Sequence, residues 1–204
     1  LKNNNKIAVV FSGDGGASEG DFHEALNVAS VWSLPIIFVV ENNGYGLSTP
    51  SNEQFNCKSF KDKGVGYGMK AHSIDGNNFL DVFEKVKKIK EKIHKEGKPH
   101  LLECLTFRVR GHEESSGTKY VPESEMKKWK SYDPIKNFRK FLFENTKIDT
   151  SHLEKVEKDI RTQIDKSWSL AESSSFSNST IKDELSDVYQ KHDFIKKDKI
   201  KTKE

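Results

Sequence analysis

Residues 7–16 read IAVVFSGDGG. Ile7 to Phe11 is an unbroken β-branched and aromatic run that ends on Ser12-Gly13. Such a run predicts a strand buried on both faces. Downstream, Ser18 to Leu34 carries Phe22, Leu26, Ala29 and Trp32 at roughly helical spacing, with Glu19 and Asp21 in the first turn. Acidic side chains favour a helix N-terminus, and Pro35 stops the helix. Ile36 to Val40 reads as a second buried strand, Met69 to Ile74 as a weaker third, and Leu101 to Phe107 as a fourth. Phe79, Val82, Phe83, Val86, Ile89 and Ile93 repeat at threes and fours, an amphipathic helix closed by Gly97-Lys98-Pro99. Strands alternating with helices predict an α/β fold, a parallel sheet with helices on both faces.

The remaining sequence bounds the function. With 204 residues the chain can bury a core without disulfides. Cys57 and Cys104 form no CxxC pair, which argues against a disulfide scaffold and a zinc ribbon and suits a reducing compartment. Apolar runs such as Leu34 to Val40 fall far short of the ~20 residues a membrane helix needs. Lys and Arg total 34 against 31 Asp and Glu, too even a balance to argue for nucleic acid. After Arg108 the strands end. Residues 108–122 are polar. Glu125 to Trp129 and Asp133-Pro134 to Phe143 read as helices, and Leu153 to Trp168 as a long amphipathic one. Residues 173–180, SSSFSNST, read as a linker, and the charged stretch from Lys196 to Glu204 as disordered or a tether. The expected organisation is an α/β domain over 1–145, a helical extension over 146–189 and a charged tail over 190–204.

Two loops carry the chemistry. Gly13-Asp14-Gly15-Gly16 lies at a strand exit, where glycines let backbone N–H groups approach a phosphate. A dinucleotide fingerprint fits poorly, because Ser18 stands at the third glycine position and Asp14 sits inside the loop. A carboxylate repels a diphosphate unless a cation lies between them, and Mg²⁺ is typically shared between carboxylates and substrate phosphates. Alone, Gly-Asp-Gly is an ordinary tight turn. The second loop, Glu41-Asn42-Asn43-Gly44-Tyr45-Gly46, follows the next strand and offers amide and carbonyl oxygens. In an open α/β sheet, ligands sit outside the carboxyl ends of the strands. Asp14 and Asn43 therefore reach one edge and can converge on one ion.

Gly-Asp-Gly, 26 residues (16–41), then Asn-Asn resembles the thiamine diphosphate motif. Residues 13–50, with Ser73 to Asn77, Thr106-Phe107-Arg108, Gly111-His112, Trp129, Asp133-Pro134 and Asp187-Val188-Tyr189, resemble the α subunit of the E1 component of 2-oxo acid dehydrogenase complexes. The likeness runs from about residue 7 to 189. It implies the thiamine diphosphate-binding fold. It also implies that Asp14 and Asn43 bind Mg²⁺ through side chains and Tyr45 through its carbonyl. Gly13 and Gly15 would admit the diphosphate, and Gly16 and Ala17 would open the helix facing it. His112 matches the family's active-site histidine, near the thiazolium and the lipoyl group. Glu113 stands where relatives often carry a regulatory serine, while Ser115 and Ser116 lie further on.

The same resemblance implies decarboxylation of a 2-oxo acid, branched-chain rather than pyruvate, with acyl transfer to lipoyl. Its partners would be an E1 β subunit or β domain and a lipoylated E2 acyltransferase, in an α2β2-like oligomer without nucleic acid or membrane. The compartment would be the bacterial cytoplasm or the mitochondrial matrix. In that family more than a hundred residues precede the Gly-Asp-Gly strand, and the β part supplies the activating glutamate. The expectation is therefore an N-terminally shortened chain, inactive alone and with exposed apolar surface. An acetoin dehydrogenase or other thiamine enzyme, and a non-catalytic binding or assembly fragment, are the alternatives. No GxxxxGK[ST], GxSxG or HExxH occurs.

Overall fold

All four apolar runs are strands of one parallel sheet in the computed structural model, which describes residues 5–186. Strand β1 is Ala8–Gly13 and helix α1 is Gly20–Val31. Strand β2, Ile36–Asn42, is followed by a small antiparallel hairpin of β3, Tyr45–Gly46, and β4, Thr49–Pro50. Then come α2, Phe60–Gly66; β5, Lys70–Asp75; α3, Phe79–Glu96; and β6, His100–Leu105. The sheet order is β1-β2-β6-β5. Ala8 pairs with Ile36, Phe38 with Leu101, and Ala71 with Leu101.

Alternation along β2 builds two cores. Phe38 and Val40 pack with Leu26, Ala29, Phe60, Met69 and Leu101 beneath α1 and α2. Ile37 and Val39 point the other way and pack with Ile89, Ile93, Leu102 and Cys104 beneath α3. The expected α/β architecture with helices on both faces is therefore present. Burial on both faces also explains why β2 is apolar without alternation. Burial pushes the Cys104 thiol up to about 11, so it is an inert core residue.

Three local readings needed correction. Gly16 and Ala17 do not open α1: Gly16–Ser18 is a single 3-10 turn, and extended Glu19 separates it from the helix. Helix α1 also ends before Pro35, because Ser33 takes a left-handed φ of 51° and turns the chain early. Helix α2 was missing from the sequence reading. Its signal was the N-terminal pair Ser59 and Asp62, a capping box, but the apolar run behind it is only one turn long.

Helix α4 spans Glu123–Ser131 and α5 spans Pro134–Asn145, the latter capped by Asp133 with Pro134 in its first turn. The chain divides into one unit up to Lys147 and another from Ile148. In the second, α6 is Thr150–Ser173, capped by Asp149, and α7 is Ile181–Ser186. The expected linker falls between them. The expected charged tail and Asp187-Val188-Tyr189 lie outside the described residues. Among the described residues no helix is long and apolar enough to cross a membrane.

Apolar surface stays uncovered. The first strand is not buried as its apolar run predicts: β1 is the edge strand of the sheet, with Val9 48% and Phe11 67% exposed. Val156, Ile160, Ile164 and Trp168 of α6 are exposed as well.

Candidate functional site

A cleft of about 520 Å³ opens at the carboxyl ends of the strands. Gly13, Asp14, Gly15, Gly16, Asn43, Tyr45 and His112 all line it. Ala17 does not. Its side chain is fully buried in the core under α1, and its carbonyl accepts from Lys63 Nζ at 2.7 Å. The two strand-exit loops do meet, as the sequence argument required. The parallel pairing Gly13 to Glu41 puts both exits on one edge.

Close backbone approach shapes this meeting. A Cβ added to Gly15 would stand 3.1 Å from the Cα of Gly46, and one on Gly16 would stand 2.9 Å from Ser12 Oγ. A side chain on Gly15 would press on the second loop, and one on Gly16 would crowd Ser12 of its own strand. Gly44 has φ of 83°, a conformation that favours glycine. Consecutive side-chain turns set the second loop: Asn42 Oδ1 accepts from Gly44 N at 3.1 Å, and Asn43 Oδ1 accepts from Tyr45 N at 3.1 Å. An amide oxygen has two lone pairs, so Asn43 Oδ1 keeps one for a ligand.

Asp14 is 1% exposed, and its Oδ2 accepts from Ser51 Oγ at 2.6 Å. A buried carboxylate is unfavourable unless its oxygens are satisfied. Ser51 holds one of its oxygens, Oδ2, and Asp14 lines the cleft together with Asn43 and Tyr45. Among the described residues no three His, Cys, Asp or Glu side chains cluster as a metal site. The donors on offer are instead one carboxylate, one amide and one backbone carbonyl, all oxygen. That set suits a hard cation such as Mg²⁺ and leaves coordination positions for phosphate oxygens. The cleft lined by Gly13, Gly15 and Gly16 is open to a ligand of diphosphate size. The residues present fit the cofactor that the sequence resemblance implied.

His112 is exposed at the cleft edge, and Nη1 of Arg108 reaches its Nδ1 at 3.2 Å. Arg108 also donates to Leu47 O at 2.6 Å and to Tyr120 Oη at 2.9 Å. Arg108 was not among the expected site residues. It could have been found by the same strand-exit logic, since it follows β6 by three residues. Tyr45 Oη donates to Glu125 Oε2 at 3.0 Å, which links the loop to α4. Burial, and then that hydrogen bond, hold the Tyr45 phenol above its ordinary value. Ser51, supplied by the turn after β4, was invisible to a motif search because its bond to Asp14 spans 37 residues.

The family described as dehydrogenase E1 component matches residues 1–180. The chain belongs to that family. It is 35% identical over 189 residues to the α subunit of acetoin:2,6-dichlorophenolindophenol oxidoreductase of Bacillus subtilis, covering 92% of this chain and 56% of that one. It is 41% identical over 145 residues to the mitochondrial 2-oxoisovalerate dehydrogenase α subunit of Caenorhabditis elegans, covering 70% and 33%. It is 30% identical over 174 residues to the pyruvate dehydrogenase E1 α subunit of Rickettsia bellii, covering 85% and 53%. The chain thus spans about half or less of the length of these relatives. Family membership implies thiamine diphosphate as the cofactor.

Proposed function

We propose that this chain is the diphosphate- and Mg²⁺-holding α part of a thiamine diphosphate-dependent 2-oxo acid dehydrogenase. The observation that carries this reading is the buried Asp14, tied on one side by Ser51 and lining one cleft with Asn43, Tyr45 and the glycine loop. Asp14 and Asn43 bind the metal through side chains and Tyr45 through its carbonyl. Gly13, Gly15 and Gly16 offer backbone to the diphosphate. When bound, thiamine diphosphate supplies the electron sink for decarboxylating a 2-oxo acid. His112, at the cleft mouth, exchanges a proton with the reacting acyl group or the lipoyl acceptor. Arg108 holds the loop that carries it.

The activating glutamate comes from an E1 β part, and the acyl group passes to a lipoylated E2 acyltransferase. An α2β2-like assembly places these parts together, in a bacterial cytoplasm or a mitochondrial matrix. A branched-chain 2-oxo acid is the favoured substrate, supported by the 41% identity to a 2-oxoisovalerate dehydrogenase α subunit. An acetoin-oxidising enzyme is the second reading, supported by the relative matched over 92% of this chain.

The test uses the full-length α chain with its β part. Calorimetric titration with thiamine diphosphate should give tight binding with magnesium and weak binding with excess EDTA, and Asp14→Ala should abolish the difference. Turnover with an artificial electron acceptor should be highest on 2-oxoisovalerate. Equal cofactor affinity with and without magnesium would refute the site assignment, and a preference for acetoin would select the second reading.

A further inference from the structure

Helix α2 bonds to the first loop through Lys63 and reaches the second through Glu103 of β6, without lining the cleft. At its N-terminus, Ser59 Oγ donates to Glu103 Oε2 and accepts from Lys61 N at 3.3 Å. Glu103 is 1% exposed, and its other oxygen, Oε1, accepts from Asn42 Nδ2 at 2.9 Å. Both carboxylate oxygens are therefore used, one toward α2 and one toward the loop of Asn42 and Asn43. Holding the Asn42 amide this way turns its Oδ1 toward Gly44 N, which starts the tandem side-chain turns. One turn along α2, Lys63 Nζ donates to Ala17 O at 2.7 Å, in the 3-10 turn behind the glycine loop. Lys63 Nζ lies over the packed rings of Phe55 and Phe60, 5.3 and 5.1 Å from their centroids.

The helix that makes these two bonds is itself tightly seated. Phe60 is fully buried, and a Cβ on Gly64 would stand 2.9 Å from Leu101 Cβ and 3.0 Å from Ala71 Cβ. The α2 backbone thus lies directly on β5 and β6. Its far end is tied to α1, with Ser30 Oγ donating to Tyr67 O at 2.5 Å and His23 Nδ1 within 2.9 Å of Tyr67 Oη. No adjustment of one cofactor loop can occur without strain on a helix that also holds the other.

We infer that α2 is the brace that registers the two cofactor loops against each other, with Glu103 and Lys63 as its positioning residues. This rests on the reading that Asp14 and Asn43 share one cation. Their separation must match a single ion's coordination shell; the Gly15–Gly46 contact and the Ser51–Asp14 bond join the loops directly, and α2 with Glu103 ties each of them to the packed sheet. Outer partners that orient ligands typically contribute about 10–100-fold in metal affinity.

The experiment uses the complete α chain assembled with its β part and reads two quantities: the Kd for magnesium at saturating thiamine diphosphate, and the Tm of the complex without cofactor. Lys63→Met keeps the stem and removes the bond to Ala17. Glu103→Leu removes both carboxylate bonds, while Glu103→Gln keeps an acceptor for Asn42. Lys63→Met and Glu103→Leu should each raise Kd about 10-fold or more. The double variant should lose less than the product of the two, since both act through one helix. Glu103→Gln should stay close to the unsubstituted complex. Ile89→Val, in the core under α3, is the control that lowers Tm and leaves Kd unmoved. If Glu103→Leu does not assemble, Lys63→Met decides alone. Variants that lower Tm like the control, with Kd unchanged, would overturn the brace. If Asp14→Ala also leaves Kd unchanged, it is the cation site itself that fails.

Discussion

Arg108 Nη1 lies 3.2 Å from His112 Nδ1, and a guanidinium can only donate. The His112 ring must therefore accept at Nδ1, which puts the proton of the neutral imidazole on Nε2. Arg108 is held in turn by Leu47 O and Tyr120 Oη, so this tautomer is built into the loop packing.

His112 should matter for turnover and little for cofactor binding. It lies on a different loop from the glycines proposed to hold the diphosphate. In the complete enzyme, His112→Ala should reduce kcat by about 10²-fold or more, the usual contribution of a proton-transfer group. The cofactor Kd, measured by titration, should not change. Full turnover in His112→Ala would return this histidine to an exposed loop residue.

Arg108→Met should act through the same ring. Without the donor at Nδ1, both tautomers of His112 become accessible. ¹⁵N spectra of the labelled α chain in the assembled enzyme should show the Nε2–H form alone with Arg108 present and a mixture in the variant. A spectrum identical to that of the unsubstituted protein would mean that Arg108 does not set the tautomer.

His100 should make stability depend on pH. It is fully buried, its Nδ1 lies 3.3 Å from His72 Nε2, and its Nε2 has no hydrogen-bond partner among the described residues. Burial, with smaller contributions from His72, Lys70 and Lys92, lowers it to about 4, while Glu96 opposes them weakly. A histidine with a depressed folded value favours the unfolded state as it gains a proton there. Its contribution is present above pH ~6.5 and is lost as pH falls toward 4. The loss should approach about 3 kcal/mol. Urea unfolding of His100→Leu between pH 7 and 4 should show a shallower decline than the unsubstituted chain. Parallel profiles would show that His100 does not titrate.

Gly64→Ala should destabilise the chain by about 1–3 kcal/mol, because the added methyl group meets Leu101 and Ala71 at 2.9–3.0 Å in a packed core. Urea denaturation measures this directly. An unchanged midpoint would mean that α2 can lift off the sheet at little cost.

The exposed face of β1 should make the 204-residue chain self-associate. Val9 and Phe11 are apolar, adjacent on one face and open to water. Sedimentation velocity at rising concentration should show larger species, and Phe11→Lys should shift them toward monomer. Concentration-independent sedimentation of the unsubstituted chain would contradict this.

Much of the architecture was legible in the sequence because its signals are local. A run such as Ile36 to Val40 fits a buried parallel strand, and the threes-and-fours spacing of Val82 to Ile93 fits only a helix with one apolar side. The strand-exit positions of Asp14 and Asn43 then put them on one edge, since parallel strands share their carboxyl ends. What the sequence could not decide are contacts between segments far apart along the chain. Ser51 on Asp14, Arg108 on Leu47 O, and Glu103 between Asn42 and Ser59 pair residues whose spacing has no period and no motif. Helix α2 is the clearest case. Its propensity is slight, with two glycines in seven residues, and it exists because Phe60 and Gly64 fit the surface of β5 and β6. Local patterning sets which elements form, through side-chain period and backbone propensity. The loop separation at the cofactor cleft is set only once the sheet is packed, because it depends on how closely one backbone can lie against another.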